Sequence, residues 1–325
     1  MELQFIKCHG SGNDFVMIDA VAHSVDSVNL RELAVDVCDR ERGIGADGVL
    51  LFVRTSGTGG GNSTSGGNAC AEFAMRMFNP DGSEAEMCGN GIRCVARLAR
   101  RYIGADRFAL HSGGRDYEVS CEENIGAGVA TYGVRIPIAL HSNDFRMFGA
   151  DGCFVGEVIP ELDADLRFTA LSLGNPHIVA PCDKVSVDRL ERLGERVKAL
   201  PHIFPNGVNV SLFEPRGENG IFVATFERGA GLTLSCGTAM TASSTAAALL
   251  GLCDFGRTIT VRNRGGMVQC ECSREPLVTK LTGNATFEYE GTIATDGEGR
   301  VRFETTAVFD DEINAYEVFA ERERG

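Results

Sequence analysis

The sequence predicts an α/β protein (α+β in its mix of elements) of two pseudo-symmetric halves, each with sheet around a central helix. Three observations predict it. A ten-residue frame runs from Phe78 to Cys88 and again from Phe226 to Cys236, each closing on Cys-Gly, a small polar residue and a helix-like run. Thr241–Leu250 carries Ala, Ser and Leu on all sides, the pattern of a helix buried all round. The segments Phe108–Ile138, Thr258–Val278 and Leu281–Ile293 read as strands.

In chain order, Phe5–Gly10 reads as a short strand and Phe15–Ile18 as a second, with Asn13 and Asp14 as turn formers between them. GSGND at 10–14 lacks the spacing of a dinucleotide fingerprint or a P-loop. Asn29–Cys38 reads as a helix capped by Asn29, and Arg40–Leu51 as a Gly-rich turn entering a strand. Thr55–Asn68 is Gly/Ser/Thr low-complexity sequence that cannot bury apolar surface, so a loop is expected there. Glu72–Phe78 is a strand. The run after Cys88 is a helix, with Asn90 as its N-cap and an end near Gly104. A crossing between halves is expected near Ile136–Ala139. Leu171–Val179 repeats the early Gly-Asn corner before an apolar strand. Val185–Leu200 is an amphipathic surface helix, 204–210 turns into a strand, and Glu304–Ala320 reads as an acidic tail.

The totals exclude several classes. A chain of 325 residues with net charge −14 and only four lysines lacks the basic patches that nucleic acid or anionic membranes require. The start MELQFIKCHG has no basic segment followed by an apolar core, and no apolar run approaches the roughly 20 residues of a membrane helix. A cytoplasmic protein is expected. Twelve dispersed cysteines do not form a small disulfide scaffold. Cys270-Glu-Cys272 is a weak metal hint with no CxxC pair or clustered histidine beside it, so no metal is expected.

Cys88 and Cys236 each stand just ahead of a helix start, where unpaired backbone N–H groups and the positive dipole end favour thiolate. Inverting a carbon that bears hydrogen requires taking a proton from one face and returning one to the other. A thiolate base and a thiol acid do this, and swap roles in reverse. Helix N-termini also supply donors for a carboxylate and for the charge that develops as an α-proton leaves. Buried inert cysteines or a redox pair are the competing readings, and neither explains the repeated frame.

The motifs KCHGSGNDF at 7–15, GIGADG at 43–48, FNPDGSEAEMCGNGIRC at 78–94, LGNPH at 173–177, FPNGVN at 204–209 and ERGAGLTLSCGT at 227–238 jointly resemble the diaminopimelate epimerase family, in the family's order, from about Leu3 to Ile293. The resemblance implies a cofactor-independent isomerase that interconverts LL- and meso-diaminopimelate, a small-molecule substrate, in lysine and peptidoglycan precursor synthesis. It implies β-barrel-like halves at 1–137 and 138–285, with about 286–325 joining the first, and a homodimer. It makes Cys88 and Cys236 the acid/base thiols. It puts Gly89, Asn90, Gly237 and Thr238, with Asn13 beside them, at the reacting carboxylate. Asn79, Asn175, Asn209, Glu227 and Arg228 would grip the distal end, and His177 takes a structural role.

The chain departs from the family at Cys8 (usually Met), Gly48 (often Gln), Leu232 (usually Glu) and Ala239-Met240 (usually Gly-Ala). A racemase of another amino acid, of the histidine, proline or hydroxyproline type, is the alternative; a single-carboxylate substrate would leave the distal set unpaired. A pyridoxal enzyme needs a Schiff-base lysine, and none of Lys7, Lys184, Lys198 and Lys280 sits in an evident site. A binding protein without catalysis would not need both thiols.

Overall fold

A computed structural model describes residues 2–55, 71–142, 144–146, 152–295 and 301–324. The Gly/Ser-rich stretch therefore lies outside the described residues, apart from Thr55. The chain divides into two compact units, Met1–Val134 with Gly283–Phe319, and Arg135–Thr282 with Ala320–Gly325. The elements in order are β1 (Glu2–Gly10), β2 (Asn13–Asp19), α1 (Leu30–Cys38), β3 (Gly48–Arg54), β4 (Phe73–Phe78), β5 (Glu84–Ala85), α2 (Gly89–Ile103), β6 (Arg107–Ser112), β7 (Arg115–Cys121) and β8 (Thr131–Pro137). Then come β9 (Glu157–Ile159), β10 (Asp163–Ser172), β11 (Pro176–Pro181), α3 (Val187–Lys198), β12 (Asn209–Pro215), β13 (Gly220–Glu227), β14 (Gly231–Leu232), α4 (Gly237–Leu249), β15 (Thr258–Asn263), β16 (Gly266–Ser273) and β17 (Val278–Asn284). The chain closes with β18 (Thr286–Thr295), β19 (Val301–Val308) and α5 (Asp310–Arg324).

The two units repeat one topology. In the first, β1 pairs antiparallel with β2, β2 parallel with β3, β3 antiparallel with β4, β4 parallel with β6, and β6–β7–β8 continue antiparallel. In the second, β10, β11, β12, β13, β15, β16 and β17 follow the same sequence of antiparallel and parallel steps. The short β5 and β14 hang on β4 and β13, each just before its cysteine. Each parallel step needs a crossover. One helix, α1 or α3, fills the first of them; the other, α2 or α4, fills the second. The mixed α/β fold of two pseudo-symmetric halves is thus written in the strand order of each unit.

The second crossover helix is central in both units. Every residue of α4 but the last is buried, and three of its hydroxyls are satisfied within the helix: Thr241 Oγ1 donates to Gly237 O at 2.8 Å, Ser244 Oγ to Met240 O at 2.9 Å and Thr245 Oγ1 to Thr241 O at 2.9 Å. That back-bonding lets Ser and Thr sit in an apolar interior. Helix α2 buries ten residues, among them the fully buried Arg93, and ends as expected at Gly104 in the left-handed conformation. The surface helices α1 and α3 follow their expected caps and stripes: Asn29 caps α1, and α3 buries Leu190, Leu193, Gly194 and Val197.

Two expectations need correction. Asn13 and Asp14 are not turn formers. The β1–β2 turn is Ser11-Gly12, with φ of 55° and 77°, and Gly10 pairs with Asn13 across it. That two-residue geometry suits the twist of a hairpin. The acidic tail is also folded: β19 pairs antiparallel with β18, and the first turn of α5 is anchored by Glu312, which takes both Arg97 nitrogens at 2.5 and 2.6 Å. Asp310, Asp311 and Glu312 gather at the N-terminus of α5, where acidic side chains favour the helix dipole.

Candidate active site

Cys88 is itself the N-cap of α2, which corrects the assignment of that place to Asn90. Its Sγ accepts from Gly91 N at 3.4 Å, and Asn90 is fully buried inside the first turn. Cys236 takes the same place on α4. The backbones match closely, with φ and ψ of −135° and 114° at Cys88 against −124° and 113° at Cys236. Each unit therefore presents a thiol at the positive end of its central helix. Backbone N–H groups without intrahelical partners follow it, at Gly89 and Asn90 in one unit and Gly237 and Thr238 in the other.

Around Cys88 the first unit gathers Asn13, Asn90, Asp47 and Arg93. Cys88 Sγ donates to Asn13 Oδ1 at 3.8 Å, Asn90 Nδ2 donates to the same oxygen at 3.2 Å, and Asn13 Nδ2 donates to Asp47 Oδ2 at 2.7 Å. Arg93 lies beneath the turn, with Nη1 on Gly89 O at 2.9 Å, Nη2 on Asn90 Oδ1 at 3.0 Å and Nε on Asn284 O at 3.2 Å. A Cβ on Gly10 would meet Arg93 Nη2 at 2.8 Å, so a glycine there lets the hairpin reach the helix start. Asn79, at the end of β4, is in the turn that follows, and its Nδ2 donates to Ser83 Oγ at 2.9 Å.

The second unit builds a different shell. Cys236 Sγ lies 3.4 Å from Thr238 Oγ1. The thiol is nine-tenths buried, and burial pushes its pKa well above the ordinary value. The Glu227 carboxylate adds to the rise, and the Thr238 hydroxyl and Ala239 N–H oppose it. Asn175 Nδ2 donates to Thr238 Oγ1 at 3.2 Å. His177 Nε2 stands 3.0 Å from Asn175 Oδ1, 3.1 Å from Thr238 Oγ1 and 3.4 Å from Asn209 Nδ2. Burial, with Arg228 adding to it, pushes the His177 pKa down to about 3, so the ring is neutral. Asn209 Oδ1 accepts from Arg228 N at 2.8 Å, and Arg228 Nη1 donates to Asn206 O at 2.7 Å from an exposed position. Glu227 Oε1 accepts from Thr233 Oγ1 at 2.5 Å. Cys236, Thr238, Asn175, Asn209, Glu227 and Arg228 thus belong to one neighbourhood.

The model of diaminopimelate epimerase matches residues 5–133 and 169–288. The chain belongs to the diaminopimelate epimerase family. A diaminopimelate epimerase from Clostridium acetobutylicum is 36% identical over 333 residues, covering 100% of this chain and 96% of its own length. One from Enterococcus faecalis is 38% identical, covering 89% and 88%. Among solved structures, a hydroxyproline epimerase from Agrobacterium vitis with bound trans-4-hydroxy-L-proline aligns with a TM-score of 0.61 at 14% identity, covering 92% and 94%. A Bacillus anthracis phenazine biosynthesis protein aligns at 0.61 and 16%, covering 90% and 99%. At such identities the structures share the fold.

Two departures from the diaminopimelate epimerase pattern have local causes or consequences. At Gly48, a Cβ would meet Met77 Cε and Phe78 O, both at 2.9 Å, so this chain leaves no room there for the side chain that relatives often carry. Leu232 packs against the core cluster that holds Phe226 and Leu193, an apolar use of a place where the family usually has a carboxylate. Ala239 and Met240 are buried on α4, and Met240 Sδ accepts from Asn263 Nδ2 at 2.9 Å; nothing further in the structure explains this pair. Sequence reasoning missed Asp47 and Arg93. Both stand inside motifs already singled out, GIGADG and CGNGIRC, but no spacing rule links them to Asn13.

Proposed function

We propose that this enzyme epimerises diaminopimelate between the LL and meso forms without a cofactor, using Cys88 and Cys236 as the two acid/base groups. The observation that carries the reading is the pair of N-cap cysteines, matched in backbone geometry and in their ten-residue frames, in a chain of the diaminopimelate epimerase family.

The chemistry follows from what each helix start offers. One thiolate removes the α-proton, the other thiol returns a proton to the opposite face, and the reverse reaction exchanges the two roles. The reading requires both thiols to meet opposite faces of one carbon. The backbone N–H groups of Gly89, Asn90, Gly237 and Thr238, with Asn13, hold the reacting carboxylate and take up charge as the proton leaves. Asn79, Asn175, Asn209, Glu227 and Arg228 hold the distal end. Arg228 suits the far carboxylate because a guanidinium fork takes it bidentately, and Glu227 with amide oxygens suits the far ammonium. The hydrogen bond from Arg228 N to Asn209 Oδ1 supports a role for Asn209 in setting the Arg228 main chain. A neutral, buried His177 supports its structural role rather than one in proton transfer.

The reading also takes the halves as 1–137 with 286–325 and 138–285, and the enzyme as a cytoplasmic homodimer in lysine and peptidoglycan precursor synthesis. Among the described residues no helix is long and apolar enough to cross a membrane.

The test is exchange in D2O with LL-diaminopimelate and the reduced enzyme, alongside Cys88→Ser and Cys236→Ser. Deuterium at one α-carbon with a shift to the meso form, crippled in both variants, is the expected result. Exchange with proline, hydroxyproline or histidine but not with diaminopimelate overturns the substrate. Full activity in either serine variant overturns the two-thiol mechanism.

A further inference from the structure

A β-hairpin follows each central helix, and its tight turn comes back against the segment that leads into the cysteine. In the first unit β6 ends at Ser112 and β7 begins at Arg115, with Gly113-Gly114 between them. In the second β15 ends at Asn263 and β16 begins at Gly266, with Arg264-Gly265 between them. Ser112 and Asn263 thus hold the same place in the repeated topology, and both are buried. Ser112 Oγ donates to Glu86 O at 3.0 Å, and Gly265 N donates to Leu234 O at 3.1 Å. Glu86 and Leu234 each stand two residues ahead of their cysteine. A Cβ on Gly113 would meet Glu86 O at 2.1 Å, so the first turn lies hard against that segment. The two turns reach the same carbonyl by different donors, so what recurs is the hold on the chain entering the cysteine.

Asn263 does more than Ser112. The Gly265 N–H can only donate, and it meets Asn263 Oδ1 at 2.9 Å, so the amide turns its Nδ2 the other way. That nitrogen donates to Ser235 Oγ at 3.0 Å and to Met240 Sδ at 2.9 Å, one hydrogen for each acceptor. Among the described residues no other hydrogen bond reaches either side chain. Ser235 directly precedes Cys236, and Met240 N donates to Cys236 O at 3.0 Å in the first turn of α4. One buried amide therefore grips the chain on both sides of the thiol. We propose that Asn263 and Ser112 are positioning residues: the turn after each central helix fixes the chain at its cysteine, Ser112 at Cys88 and Asn263 at Cys236, so that each sulfur stays aimed at the α-carbon. This rests on the two-thiol reading, in which a small displacement of either sulfur lengthens a proton transfer. Both residues act through the chain that carries the sulfur.

The test reads the two thiols separately from the reaction. The full-length reduced enzyme is labelled with iodoacetamide, and the peptides carrying Cys88 and Cys236 are followed by mass spectrometry. Asn263→Ala removes the contacts with Gly265, Ser235 and Met240 and leaves the Gly265–Leu234 bond in place. Cys236 labelling is then expected to be about tenfold faster, the worth of about one buried hydrogen bond in local opening, with Cys88 labelling unchanged. Ser112→Ala is expected to do the converse by less, with Cys88 faster and Cys236 unchanged. In both variants kcat for diaminopimelate falls, by about tenfold in Asn263→Ala, while KM stays within about twofold, because the substrate still binds but meets a misplaced thiol. A substitution that only loosened the fold would speed both thiols together. Labelling that changes at both thiols alike, or at neither, overturns the proposal, and so does full kcat in a variant whose own thiol is loosened. If Asn263→Ala does not fold, Ser235→Ala, which removes only the hydroxyl that the amide holds, decides the matter for Cys236 by the same two readings. Failure of the wild type to epimerise diaminopimelate would instead overturn the functional reading, and the labelling would still show whether the turns hold the thiols.

Discussion

His177 gives a prediction whose size follows from its lowered pKa, set first by burial and then by Arg228. In the unfolded chain a histidine gains its proton below about pH 6.5, whereas folded His177 stays neutral down to about 3. Between those values the unfolded state binds more protons, so stability falls as pH drops through the window. At about pH 5 this one residue has taken away about 2 kcal/mol relative to pH 8, since each unit of separation is about 1.4 kcal/mol. His177→Gln removes the titration. It lowers stability at every pH, because it breaks the contacts of Nε2 with Asn175 and Thr238. Its loss between pH 8 and pH 5 should nevertheless be smaller than that of the wild type by about 2 kcal/mol. His9, likewise buried with its pKa pushed down to about 4, contributes equally to both proteins and cancels. Urea unfolding at the two pH values measures the difference. Equal losses in wild type and variant would refute the reasoning, because they would mean that His177 titrates alike folded and unfolded.

Three further substitutions test other parts of the fold. Glu312→Ala strips the bidentate partner from Arg97, whose guanidinium also lies 3.9 Å over the Phe287 ring. Leaving that half-buried charge unpaired should cost about 2 kcal/mol, read as a melting temperature lower by roughly 6 °C; an unchanged melting curve would show that α5 does not brace α2. Gly48→Gln places the family's common residue against Phe78 O at 2.9 Å and should destabilise by about 1–3 kcal/mol in denaturant titration; a neutral or stabilised variant would contradict the close packing. Gly194→Ala gains about 1 kcal/mol of helix propensity but drives its Cβ to 2.2 Å from Phe226 Cδ1, so a net loss of stability is expected, with a drop in activity because Glu227 follows Phe226; increased stability would refute the steric argument.

The parts of the fold legible in sequence were those governed by local rules repeated twice. Asn29 and Gly104 ended helices where capping chemistry says they should, because a cap needs only its own turn. The all-round apolar face of 241–250 announced a central helix, although the helix begins four residues earlier: Gly237 and Thr238 follow a cap formed by a cysteine, a residue that capping preferences do not favour. The same preference misplaced the cap of α2 at Asn90. The acidic run at 304–320 misled because composition alone does not reveal a half-buried basic partner. Glu312 is ordered by Arg97, more than two hundred residues away in sequence.

The candidate site divides along the same line. The two thiols stood out because the ten-residue frame recurs, and recurrence is visible without coordinates. Asp47 did not, since its importance comes from being the acceptor-only end of a chain whose links join residues 13 to 47, 13 to 90 and 90 to 93. No period or spacing encodes that. What encodes it is the chemistry of the two ends: an arginine that can only donate and a carboxylate that can only accept leave each intervening asparagine a single satisfied orientation. Only with both ends replaced by groups that can do both would the same backbone hold the amides in two orientations and leave the atom facing Cys88 undetermined. The polarity of the site is therefore a property of which residue types terminate the chain.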